Sequence, residues 1–397
     1  MTHAGLVVSF GCVAIALVAG ACEPTEPPKP PPVPQVAWEP EAPPVRAVVA
    51  TDAGAVEKQA VAVPTFPPPK PTIISLARTG EAALDTKLGE ADAAYAKEDY
   101  TSAVRLYSDA ARAFPRRAAP SVGLARCEVA RVTPNLEYAT GKGNPRIRAG
   151  LALLQRMAKF EPEFAPTHAE IGRTLLLLGD APGAVEPLRR ASRALPLEPE
   201  VHSALGVALL ASGKGEEAVA SLTKAAELDP GSAPRRGNLG TVLFMRGRVD
   251  DAVKEYEAEV AIDPADARAC SDLGTALLAR NDFPGAMREL EKAVALDPAR
   301  ATFRSNLGYA LQLQGKKDLA IASYREAIRL DSKLASAWIN LATVLAKDPK
   351  TRKEARSALE KARGLDPQDP RVIANFEELD ALEKGVQVPA GGEKKKP

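Results

Sequence analysis

Prolines recur in this chain at a fixed interval. Pro162, Pro196, Pro230, Pro264 and Pro298 are each 34 residues apart; Ser332 holds the next place and Pro367 follows 35 residues later. A period of this length is the signature of a solenoid of helical hairpins, in which each unit buries its apolar face only against its neighbours. By length alone, 397 residues suggest two or three domains. The repeat overrides that expectation, because a solenoid grows by adding units to one continuous core. The core must come from Leu and Ala, since apolar residues make up 45% of the chain and aromatics only 5%. Such a core suits close helix–helix packing better than a sheet. A net charge of +1 argues against nucleic acid as the main partner, which calls for a basic stripe.

Setting each unit against its neighbours exposes further columns. With Pro230 at position 32 of a repeat that starts at Pro199, positions 7, 8, 20, 24 and 27 read Leu205, Gly206, Ala218, Leu222 and Ala225. The next units give Leu239, Gly240, Ala252, Tyr256 and Glu259, then Leu273, Gly274, Ala286, Leu290 and Ala293, then Leu307, Gly308, Ala320, Tyr324 and Ala327. The unit before gives Ile171, Gly172, Ala184, Leu188 and Ala191, and the last gives Leu341, Ala342, Ala355, Leu359 and Ala362. Small residues at positions 8 and 20 allow two helices to approach, and the larger ones fill the space between. Gly179, Gly213, Gly247 and Gly315 fall at the turn between the helices, where a positive φ is often needed. Asp-Pro pairs such as Asp229-Pro230 end one hairpin and turn into the next. Glu259 interrupts the small-residue column and is expected to turn outward.

These columns resemble the tetratricopeptide repeat family over roughly Leu84 to Asp369. The resemblance implies an all-α, right-handed superhelical solenoid of about eight hairpins. The units are 84–117, 118–164, 165–198, 199–232, 233–266, 267–300, 301–334 and 335–369, within a repeat region of 76–369. The first two match less closely: Glu90 stands where a Leu is expected, and the second has about 13 extra residues between its helices, in an insertion at Arg131 to Pro145. That Gly- and Pro-punctuated insertion reads as a loop, either a binding feature or tolerated decoration. Residues 370–384 read as a capping helix with Val372, Ile373, Phe376, Leu379 and Leu382 inward and Glu377, Glu378 and Asp380 outward. Residues 385–397 read as a disordered tail.

The N-terminus reads as an address. A short apolar run from Leu6 ends in Ala19-Gly20-Ala21-Cys22, the small-residue pattern of a secretory cleavage site. With Cys22 directly after the cut, residues 1–21 resemble the signal of a bacterial lipoprotein, which implies lipidation at Cys22. An ordinary secreted protein with an incidental cysteine is the alternative. Residues 22–75 read as a tether, with fifteen prolines between Glu23 and Pro71. Such composition favours extended polyproline conformations, at ~3.1 Å per residue. No C-x-x-C spacing occurs, so zinc and redox motifs have no support, and Cys127 and Cys270 lie too many repeats apart to meet.

Function is sought on the first helices. In the family, their exposed positions face a concave groove. Position 6 of successive units reads Asn238, Asp272, Asn306 and Asn340; position 9 reads Thr241, Thr275, Tyr309 and Thr343. A row of amides can both donate to and accept from the backbone of an extended peptide. The alternative is that Asn is simply the family's commonest residue there. A basic clamp for a C-terminal carboxylate finds only Arg173 at position 9. His168 and His202, both at position 4, are expected to pack, and with one His per repeat no metal site is expected. Gly213-Lys214-Gly215 lacks the spacing of a phosphate loop. No cofactor and no enzymatic activity are expected.

The composite expectation is a lipid-anchored interaction scaffold of the bacterial cell envelope, on the periplasmic side of the inner or outer membrane. Its partner would be a protein or peptide. By family analogy it would support assembly of a pilus, a secretion pore or a gliding-motility machine. The rival reading is a substrate-recognition arm for an envelope glycosyl-transfer or peptidoglycan enzyme.

Overall fold

A computed structural model describes residues 73–132, 141 and 143–384. The signal, Cys22, almost all of the tether and the tail lie outside the described residues, as does most of the Arg131–Pro145 insertion. Seventeen helices occur among the described residues, with no strand. They are α1 (Ala82–Ala96), α2 (Tyr100–Ala113), α3 (Ala119–Ala130), α4 (Pro145–Phe160), α5 (Ala165–Leu177) and α6 (Ala181–Ala194). The series continues with α7 (Pro199–Ala211), α8 (Gly215–Leu228), α9 (Ala233–Met245), α10 (Val249–Ile262), α11 (Ala267–Ala279) and α12 (Phe283–Leu296). It ends with α13 (Ala301–Leu313), α14 (Lys317–Leu330), α15 (Ala335–Ala346), α16 (Arg352–Leu365) and α17 (Pro370–Glu383). Odd-numbered helices up to α15 are the first helices of the eight hairpins. Contacts divide the chain into two compact units, with the division between Val242 and Leu243, inside α9.

The hairpin geometry follows from the small-residue columns. A Cβ placed on Gly206 would lie 2.5 Å from Leu222 Cγ, one on Gly274 2.7 Å from Leu290 Cγ, and one on Gly308 2.8 Å from Tyr324 Cε1. Position 8 is therefore small because position 24 of the same hairpin fills its space. The turn glycines Gly179, Gly213, Gly247 and Gly315 have φ between 73° and 81°. Glu98 and Asn281 hold the same turn position with φ of 60° and 67°, a region that L-residues enter at a cost. Where aspartate follows the turn it caps the second helix: Asp180 accepts from Gly183 N–H at 2.8 Å and Asp282 from Gly285 N–H at 3.0 Å.

Position 4 carries a recurring device. The ring nitrogen Nε2 of His168 lies 2.8 Å from the Pro162 carbonyl and that of His202 lies 3.0 Å from the Pro196 carbonyl. Trp338 Nε1 donates to the Ser332 carbonyl at 3.0 Å in the same register. Each side chain satisfies a carbonyl left over where the preceding helix ends.

Two expectations need correction. Glu259 does not turn outward; it is 1% exposed in α10. It sits where neighbouring hairpins place Ala, so its carboxyl is enclosed by the packing that column creates. In α17, Val372 and Leu379 are buried as expected, whereas Ile373 is 51% exposed. Asn375 is the inward residue instead, accepting from Thr343 Oγ1 at 2.9 Å. The outward acids of α17 find partners across the helix pair: Glu378 accepts from Lys347 at 2.6 Å and Asp380 from Arg356 at 2.5 Å.

Candidate binding face

All eight residues of the expected ladder are buried. Asn238, Thr241, Thr275, Asn306, Tyr309 and Asn340 are at most 4% exposed, and Asp272 and Thr343 reach 7% and 6%. Within the second unit the structure brings several together. Asn306 Nδ2 on α13 donates to Ser271 Oγ and Thr275 Oγ1 on α11, both at 3.3 Å. Thr343 on α15 meets Asn375 on α17 in the same register. Position 6 of one first helix thus bonds positions 5 and 9 of the first helix before it, and the row forms a polar seam between consecutive hairpins. The seam is not saturated: Oδ1 of Asn238 and of Asn340 are buried without a hydrogen-bond partner. For Asn238, the preceding position 9 is Val207, which offers no hydroxyl, and Ser203 at position 5 accepts from Arg235 at 2.6 Å.

In the first unit the first-helix face already holds a segment of chain. Residues 73–78 have no helix or strand, and their burial alternates: Ile74 and Leu76 are fully buried, while Ile73, Ser75 and Ala77 are half-buried. That alternation is the two-residue period of an extended stretch, which ends in a bend at Leu76, where Arg78 N–H donates to the Leu76 carbonyl at 2.8 Å. Leu76 joins an apolar cluster with Leu84, Leu88, Tyr107 and Val122. Ile74 joins a separate one with Ala165, Ala169, Ala191, Leu195 and Val201. The segment thereby links α1–α3 with α5–α7.

Its polar grip comes from position 9 of the first two hairpins, Asp92 and Arg126. Asp92 Oδ2 accepts from Leu76 N–H at 2.7 Å and from Ser75 Oγ at 3.1 Å. Arg126 Nη1 donates to the Ile74 carbonyl at 3.0 Å. Arg126 Nη2 pairs with Asp92 Oδ1 and donates to the Tyr107 hydroxyl, which itself donates to Asp92 Oδ1 at 2.5 Å. The Arg126 guanidinium also stacks 4.4 Å from the Tyr95 ring centroid. Burial opposes its charge, but the Tyr107 and Asp92 oxygens and the Glu170 carboxylate outweigh that and move its pKa up. Burial also raises the Tyr107 hydroxyl, which stays protonated and able to donate. At the outer end, Arg78 pairs with Glu198, and the Thr79 carbonyl accepts from Arg117 at 2.8 Å.

The buried charges continue along this unit. Arg173, the next position 9, lies 3.4 Å from both Glu170 and Glu200, and Arg235 lies 3.6 Å from Glu200. Burial pushes the Glu200 carboxyl up, and Arg173 and Arg235 pull against that shift. Acid and base alternate, so each buried charge has an opposite neighbour, which such charges require.

The hold on the segment is close to balance. Burying Ile74 and Leu76 contributes about 3–6 kcal/mol together, and three hydrogen bonds to the charged Asp92 and Arg126 about 5–9 kcal/mol. Ordering the backbone of residues 73–78 costs about 6–12 kcal/mol.

Sequence reasoning placed residues 22–75 in the tether and so missed Ile74 and Ser75. It also read the position 9 column only from Arg173 onward. Extending that column into the two weaker hairpins would have found Asp92 and Arg126. The foot of the insertion is seated too: Gly141 N–H donates to the Leu177 carbonyl at 3.2 Å. Cys127 and Cys270 are buried free thiols, and burial pushes Cys127 up to about 12. Among the described residues, no cluster of three or more His, Cys, Asp or Glu could hold a metal. Nor is any helix among them long and apolar enough to cross a membrane.

Comparison with known proteins agrees with this geometry. One tetratricopeptide repeat model matches residues 88–133, 170–233, 271–335 and 314–370, and a second matches 209–269. No curated protein matches the chain. Among solved structures, a chain of the APC/C hetero-tetramer Cut9–Hcn1 is similar at 16% identity and a TM-score of 0.51, over 77% of this chain. This chain spans 57% of that one. PilF of Pseudomonas aeruginosa is similar at 20% identity and a TM-score of 0.46, over 54% of this chain and 97% of its own. YrrB, described as a tetratricopeptide repeat protein with an unusual peptide-binding site, is similar at 22% identity and a TM-score of 0.38, over 49% of this chain and 99% of its own. The first of these likenesses supports the fold alone, and the other two are too loose to add to it. The repeat columns, the paired helices and the family models, which together span more than half the chain, establish that it belongs to the tetratricopeptide repeat family.

Proposed function

We propose that the protein is a lipid-anchored scaffold of the bacterial cell envelope that binds an extended segment of a protein partner on the face formed by its first helices. The observation that carries this reading is the segment 73–78. The first-helix face of the first unit holds it through two buried apolar side chains and through contacts to its backbone, the means by which any extended peptide is held. The Asn238, Asp272, Asn306 and Asn340 row, with Thr241, Thr275, Tyr309 and Thr343, has a narrower part in this proposal. Its amides are buried in the seam between first helices, so the row would act on a partner only through the shape of the face it holds together. Cys22 would supply the anchor, with two or more acyl chains giving stable attachment. Anchoring concentrates bound partners near the membrane, so positioning is the mechanism.

The test is affinity capture from detergent-solubilised envelopes, with wild type beside an Asn238/Asn306/Asn340→Ala variant of unchanged helicity. A partner recovered by wild type and reduced with the variant supports the scaffold and the row. A partner held equally by both removes the row from the site. No partner with either counts against the scaffold.

A further inference from the structure

We propose that residues 74–78 are a built-in occupant of a peptide site on α1, α3, α5 and α7. The site takes segments that are extended across two apolar residues two apart and then turn tightly to bring up a basic residue two further on. The inference rests on the scaffold reading above and specifies its ligand. The pattern is read from the occupant itself, Ile74-Ser75-Leu76-Ala77-Arg78. Ile74 and Leu76 enter two separate apolar clusters, which fixes the spacing of the apolar residues. Asp92 takes the N–H of the second apolar residue and Arg126 the carbonyl of the first, so the site reads backbone between the two pockets. Glu198 sits opposite the basic residue.

Three features mark this as an occupied site rather than a fixed part of the core. The segment belongs to no helix, and burial of its two apolar side chains does not by itself offset the cost of ordering it. Its grip comes from position 9, whose residues in the second unit instead take part in the polar seam, as Thr275 and Thr343 do. Gly80, with φ of 76°, separates the segment from α1, so it can leave while the helix stays. Asp92 and Arg126 would then keep each other as partners, and the apolar pockets would be open to a competing segment of the same pattern.

The experiment uses the full chain, wild type and Ile74→Ser/Leu76→Ser, with a fluorescent synthetic peptide of residues 73–80. The double variant is expected to bind the peptide at least tenfold more tightly than wild type, in which the tethered copy competes. A peptide carrying the same two serines should not bind. A double variant of wild-type helicity that does not bind the peptide overturns the proposal. Should the double variant fail to fold, hydrogen exchange of wild type decides. Leu76 N–H exchanging at least tenfold faster than the amides of α5 supports a detachable segment, and exchange only at the rate of those amides overturns it. A failed peptide with a partner still captured in the previous experiment would sink this inference alone and leave the scaffold standing.

Discussion

At the scale of single residues, the exceptions to the repeat are more informative than the rule. Glu259 is enclosed where its neighbours have Ala. Burial and the nearby Asp272 carboxylate raise its carboxyl well above the ordinary 4.5, with Arg268 acting the other way. A raised carboxyl favours the folded form below its ordinary value, and that contribution is lost as pH rises through the folded value. Glu259→Ala should therefore stabilise the protein by about 1–2 kcal/mol at pH 8, the cost of an unpartnered buried polar group. The gain should shrink toward zero as pH falls to about 4.5, a value near the unperturbed carboxyl. Melting curves of both proteins across pH check this, and a gain independent of pH would contradict it. Glu98 is the other exception. It holds a left-handed turn conformation that Gly179, Gly213, Gly247 and Gly315 adopt freely. Glu98→Gly should raise stability by about 0.5–1 kcal/mol, measured by urea unfolding; Asn281→Gly should change it less, because Asn tolerates this region.

At the scale of helices, the hairpin contacts were legible because their cause is local and periodic. Gly206 facing Leu222, or Gly308 facing Tyr324, follows from positions fixed within one hairpin, and the same pair recurs every 34 residues. A prediction belongs here: Gly206→Val should cost about 1–3 kcal/mol by overpacking, read as a fall in the urea midpoint, whereas Gly231→Ala, with open space around it, should be nearly neutral. The candidate site was legible only in part. The ladder was found as a column, but burial depends on the neighbouring hairpin, and that turns Asn306 from a displayed amide into a seam residue. The segment at Ile74 and Leu76 has no period and adjoins a proline-rich stretch, so only tertiary contact reveals it. The Asp92–Arg126 pair gives this element its own test. Arg126→Ala should destabilise by about 3–5 kcal/mol, since Asp92 is left buried and unpaired. Replacing both residues with apolar ones of similar volume should cost less than the two single losses added together, although the Leu76 N–H and the Ile74 carbonyl lose their partners. A double loss equal to the sum of the two single losses would contradict the coupling.

At the scale of the whole molecule, the repeat array and its proposed anchor belong to a chain with a net charge of +1 over 397 residues. The proposed lipidation at Cys22 predicts that wild type fractionates with membranes and that Cys22→Ser is released to the soluble fraction; membrane retention of the variant would count against the anchor. Partners are proposed to bind on the first helices among α1–α7. The most direct measurement places a photo-reactive phenylalanine analogue at Arg173, half-buried at position 9 of α5, or at Arg193, exposed on the second helix α6, and irradiates each with the envelope extract. The account predicts that the captured partner is cross-linked from position 173 and not from position 193. A partner cross-linked from 193 and never from 173 would contradict it.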